Sequence, residues 1–154
     1  MDKVLAGLMV LAFSGGSVEA VRLSSMTKDK LCIEPVTFFK QMDDEERVEE
    51  YYELDVAYIQ DLKKEGFAIG RKCKYIVETE IETIGYPGTA SSLIQLTSDV
   101  MVVSAAETEG ILIYRKIEVV KGDIKLNILL KKMEAMTAAN LADFFTDWKL
   151  VNRK

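Results

Sequence analysis

Between Lys72 and Ile84 the chain alternates with a period of two. Cys73, Tyr75, Val77, Thr79, Ile81 and Thr83 fall on one side, and Lys72, Lys74, Glu78, Glu80 and Glu82 on the other, with Ile76 and Ile84 as exceptions. Such a pattern belongs to a β-strand with one buried and one wet face. It demands neighbouring strands at both edges and a cover over one face.

The following segments supply the neighbours. Gly85-Tyr86-Pro87-Gly88-Thr89 reads as a turn. Residues 92–104 form a strand that is apolar on both faces: Ile94, Leu96, Val100 and Val102 on one, Leu93, Met101 and Val103 on the other. A strand of that kind is central in its sheet or lies in an interface. Residues 111–120 and 124–131 read as two more strands joined through Lys121-Gly122-Asp123, a hairpin signal. Upstream, residues 31–39 are extended and interrupted by Pro35, as in an edge strand or a bend.

Two helices are expected. Asp43 and Glu46 have capping-box spacing, acidic residues crowd the start of the segment, and Lys63 and Lys64 precede Gly66. These features predict a long charged helix over about 43–65. Val48, Tyr52, Leu54, Val56 and Tyr58 also alternate with Glu49, Glu53 and Asp55, so residues 48–58 carry a competing strand pattern. At the other end Thr137 can cap a helix reaching about 150, whose apolar face holds Leu141, Phe144, Phe145, Trp148 and Val151. The predicted fold class is therefore α+β: an antiparallel sheet of about five or six strands, a charged helix inserted near 43–65, and a C-terminal helix near 137–150. At 154 residues the chain forms one domain, long enough to bury roughly 70% of its unfolded surface.

The N-terminus has two readings. Val4–Phe13 is apolar, and Val18-x-Ala20 before Val21 fits a secretory leader cleaved after Ala20. Alternatively, residues 1–20 are a buried first element, ending at Gly15 or turning through Ser14-Gly15-Gly16-Ser17. The apolar run is too short to span a bilayer, so no transmembrane segment is expected. Cys32 and Cys73 could form one disulfide in an exported chain; two buried thiols are the expectation. An intracellular or particle-associated setting is favoured over secretion.

Little in the chain carries chemistry. Histidine is absent, which removes imidazole bases, Ser–His and Cys–His dyads and every His-containing metal site. Phosphate-loop, dinucleotide and nucleophile-elbow patterns are missing. Ser25-Met26-Thr27-Lys28 spells SxxK without its companion motifs. The row Glu78, Glu80, Glu82 could host paired carboxylate chemistry, but on a wet strand face it is first a solubility device. The acidic run at 43–55 lacks the turn glycine of a calcium loop. No catalytic, cofactor-binding or metal-ligating residue is assigned, and no cofactor is expected. With a net charge of −5 and only short basic clusters, nucleic acid is not the expected partner.

What remains is apolar surface. The runs at 4–13 and 92–131 exceed what two helices can cover, which points to a non-enzymatic assembly subunit that self-associates through sheet edges or apolar sheet faces, as in a ring, tube or virion particle. Its partners would be copies of itself or other proteins. Ile94, Leu96, Val100, Val102, Phe144, Phe145 and Trp148 are the interface candidates. An exported small binding domain with residues 1–20 removed, and a histidine-free enzyme using carboxylates, are the alternatives.

Overall fold

The computed structural model describes residues 23–43, 45, 47–54, 56–85, 88, 91–105 and 110–152. The question of a leader or first element at 1–20 lies outside them. Two short 3-10 turns, Leu23–Ser25 and Lys28–Lys30, lead into β1 (Leu31–Met42). Then follow β2 (Val48–Leu54), α1 (Ala57–Lys64), β3 (Ala68–Ile69), β4 (Tyr75–Ile84), β5 (Leu93–Ser104), β6 (Gly110–Lys121) and α2 (Leu126–Asn152).

The fold is α+β, with a six-stranded sheet in the order β2-β1-β4-β5-β6 and β3 paired to β1. The sheet is mixed rather than wholly antiparallel. β4–β5 and β5–β6 are antiparallel neighbours, but β1 runs parallel to β4. The chain between those two strands passes through β2, α1 and β3, a connection long enough to return the chain in the same direction.

Pro35 organises β1. Lacking an N–H, it cannot hold a ladder position. The register with β4 accordingly slips between Ile33, opposite Val77, and Thr37, opposite Thr79. The same break divides the other edge of β1. Cys32 and Ile33 pair with β3, while Thr37 to Met42 pair with β2.

The long helix expected over 43–65 is corrected: Val48–Leu54 is a strand and only Ala57–Lys64 is helical. Asp43 does act as a cap, but of a hairpin turn. Its Oδ1 accepts the backbone N–H of Glu45 at 3.0 Å and of Arg47 at 2.9 Å. Those bonds hold its carboxyl below the usual carboxylate range. The alternation and the tyrosines of β2 prevail because β1 offers an edge to pair with. Helix α1 ends as its lysines and glycine suggest. Gly66 has a φ of 98°, and the N–H groups of Gly66 and Phe67 reach Lys63 O and Leu62 O at 3.0 and 3.1 Å, a Schellman closure.

The C-terminal helix begins eleven residues earlier than Thr137 suggested, at Leu126, and takes in the strand expected at 124–131. Leu129, Met133, Met136, Asn140, Leu141, Phe144 and Trp148 are buried along it, a spacing of three and four that continues the helical stripe backwards. Gly122 and Asp123 thus begin a strand-to-helix connection and not a hairpin.

Helix α2 and α1 cover one face of the sheet, and the core there divides into two apolar clusters. Leu31, Ile33, Tyr75, Val77, Val100, Val102, Leu112 and Tyr114 meet Ile59, Leu62, Leu141, Phe144, Phe145 and Trp148 in the larger one. Phe39, Ile81, Ile94 and Leu96 meet Leu129, Met133 and Met136 in the other. Each element crosses between them at a polar residue: Thr37, Thr79, Ser98, Lys116 and, on the helix, Thr137 and Asn140, all buried. Thr37 and Thr79 share a hydroxyl hydrogen bond of 2.6 Å. The Asn140 amide donates to Ser98 O at 3.0 Å and Tyr114 O at 2.9 Å, tying the helix to two strands. Lys116 reaches Asp143 at 2.8 Å, Tyr114 donates to Asp147 at 2.5 Å, and Trp148 Nε1 donates to Met26 O at 2.6 Å.

Cys32 and Cys73 are joined in a disulfide, which corrects the expectation of two free thiols. The bond ties the segment entering β4 to the start of β1.

Replacing Asn140 with Ala leaves two strand carbonyls without their buried donor and is expected to cost about 2–3 kcal/mol in urea unfolding. Reducing the disulfide, which closes a loop of 41 residues, is expected to lower stability by on the order of 4 kcal/mol in the same measurement.

Candidate assembly surface

The seven interface candidates do not lie on a surface. Ile94, Leu96, Val100, Val102 and Phe144 are fully buried, and Phe145 and Trp148 nearly so. They form the chain's own core, because α2 is long enough to cover the strand face that the sequence left open. An assembly surface has to be sought on the other face and at the two ends of the sheet.

The opposite face follows from the alternation and the register. One row runs Glu53, Phe38, Glu80, Asp99, Arg115 from β2 to β6. A second, four residues along β6, runs Val48, Met42, Ile84, Gln95, Val119. Most of the carboxylates are engaged. Arg115 grips Asp99 through two hydrogen bonds of 2.7 and 2.9 Å, the bidentate geometry that makes arginine pairs specific. Lys40 lies 3.1 Å from Glu80. Arg71, brought in by the disulfide-tied segment, bridges Glu34 and Glu78.

Glu82 differs. Half-buried and, among the described residues, in no ion pair, it has its carboxyl pushed up, chiefly by burial, against the counteracting Lys40, with Glu80 and Asp99 adding to the rise. Among the described residues no group of three or more Cys, Asp or Glu side chains could hold a metal ion. The described outer face is thus a set of carboxylates held mainly in ion pairs.

Apolar side chains border the charged strip on the β5–β6 side. Leu93 is 64% exposed and Val119 54%; they are diagonal neighbours, since Gln95 pairs with Val119 and Leu93 with Lys121. At the far side of the sheet Val48 is 54% exposed.

Two strand edges complete the surface. Among the described residues, no strand pairs with the outer edge of β2 or of β6. Each such edge presents a row of unpaired N–H and C=O groups able to accept another strand. Their sequences differ in charge. β2 carries Glu49, Glu50 and Glu53 and no basic residue; β6 carries Arg115, Lys116 and Lys121 against Glu118. No helix among the described residues is long and apolar enough to cross a membrane.

Sequence reasoning placed Glu78, Glu80 and Glu82 on the wet face but missed their cations. Asp99 and Arg115 were within reach of it, because period-two counting on two adjacent strands puts both on that face. Arg71 was not, since it arrives from a loop.

No protein-family model matches the sequence, and no curated protein matches it significantly. Among solved structures the chain is similar to the PelC dodecamer from Paraburkholderia phytofirmans in two crystal forms. A variant of it gives a TM-score of 0.40 at 10% identity, covering 75% of this chain and 88% of that one. The second form gives 0.39 at 10% identity, covering 74% and 86%. Lipoprotein GNA1162 from Neisseria meningitidis gives 0.32 at 9% identity, covering 73% and 97%. Similarity at this level carries no argument about assembly or role.

Because the Glu82 pKa is raised in the folded state, ionisation of this carboxyl weighs against folding. The cost is absent below the ordinary glutamate range and appears as pH rises through the folded-state value. Glu82→Gln is therefore expected to raise the midpoint of thermal unfolding at neutral pH, with the difference from the parent closing as the pH is lowered.

Proposed function

We propose that this chain is a non-enzymatic subunit that self-associates through its sheet, and that it works in an oxidising compartment. The observation that carries the first part is the pair of strand edges, β2 and β6, that no strand among the described residues covers, at the two ends of one sheet. Exposed Leu93 and Val119 beside one edge and Val48 on the other add apolar area, which main-chain pairing alone does not supply. The non-enzymatic reading draws support from the outer carboxylates, most of which are engaged in ion pairs.

The disulfide supports the second part. Such bonds persist in exported proteins and are rare where thiols are kept reduced. It favours the alternative in which residues 1–20 are a cleaved leader, and the two readings combine into an exported assembly subunit.

Light scattering over the micromolar range is expected to give a mass that is a multiple of the subunit; a monomer at high micromolar concentration overturns self-association. An intact mass on protein from its native source is expected to begin at Val21 and to lie two hydrogens below the reduced chain.

A further inference from the structure

We infer that copies of this chain join head to tail, β6 of one pairing antiparallel with β2 of the next. The inference rests on the self-association proposed above and specifies its geometry. Strand direction is the first argument. β2 is antiparallel to β1, β1 parallel to β4, and β5 and β6 then alternate, so β2 and β6 run in opposite directions. Two copies set side by side in the same orientation therefore bring the two edges together antiparallel, continuing the β4-β5-β6 ladder in its own style.

Register is the second argument. The row that ends in Arg115 on β6 begins in Glu53 on β2, and the row that ends in Val119 begins in Val48. With neighbouring sheets level, and with the irregularity that β2 carries opposite Gln41 and Met42 taking up its one extra residue, Arg115 faces Glu53 of the partner subunit and Val119 faces Val48 of the partner subunit. One junction thus sets opposite charges across from each other and, four residues along β6, two exposed valines. Both are favourable cross-strand pairs. Pairing β6 with β6 would instead bring together two edges of the same basic character. A head-to-tail junction closes a ring when its rotation allows and otherwise gives an open filament.

Val48 and Val119 are half-exposed, so single cysteines there leave the core intact. Antiparallel neighbours stand at a separation a disulfide can span. Mixing V48C with V119C under mild oxidation, with the native disulfide kept, is expected to give a mixed covalent dimer; neither variant alone should cross-link. The double variant should give a covalent ladder. Glu53→Lys, which sets like charges across the junction, should weaken assembly about tenfold by light scattering. Covalent dimers of V119C alone, or an oligomer that yields no mixed cross-link, overturn the head-to-tail geometry while leaving self-association standing. A monomer by light scattering overturns both.

Discussion

Helix α2 lies along one face of the sheet with Leu129, Met133, Leu141, Phe144 and Phe145 buried against it, and that contact decides what each side of the sheet becomes. Burial is worth about 25 cal/mol per Å² of apolar surface removed from water. The helix therefore settles on the face where Ile94, Leu96, Val100 and Val102 offer most of it. Polar residues crossing this core set the position along the helix: the Asn140 amide donates to carbonyls on two strands, and a shift of one helical turn would strand that amide and the carbonyls it serves.

With that face closed, the other takes up charge. Its carboxylates stand in rows dictated by the ladder, where like charges directly opposite would repel. Arg115, Lys40 and Arg71 relieve the repulsion at Asp99, Glu80, Glu34 and Glu78. Arg71 is delivered by a loop that the disulfide fastens to β1, so covalent and ionic links support one another at that corner. Among the described residues the sheet then ends in two open edges of unlike charge. These, with the exposed valines beside them, are the features that distinguish this surface from an ordinary solvated one.

Much of the β half was legible. β4 appears where period-two alternation put it, because a strand with one covered face leaves a direct imprint on side-chain polarity, and β5 and β6 appear at the apolar segments read as strands. Residues 43–65 misled through an acidic start and a basic finish, which suit a helix dipole; that β2 pairs with β1 across the Asp43 turn is an outcome the charge pattern of the segment does not record. The first turns of α2 misled in the opposite sense, since Ile128 to Leu130 is a short apolar run that fits either element. The candidate interface failed for a related reason. Leu96 or Phe144 is equally apolar whether it meets its own chain or another, and only the length of α2 shows which.

By itself the sequence determined the α+β class, the inner and outer faces of β4, the C-terminal half of α2 and the absence of imidazole chemistry. Each depends on residue type or on short periodic spacing. Tertiary structure alone decided that β1 runs parallel to β4, that Cys32 meets Cys73, that Arg71 reaches Glu34 and Glu78, and that β2 and β6 are the strands left at the ends. Those outcomes depend on which distant segments become neighbours, a choice made by the balance of burial and chain connectivity over the whole domain and written in no single stretch of it.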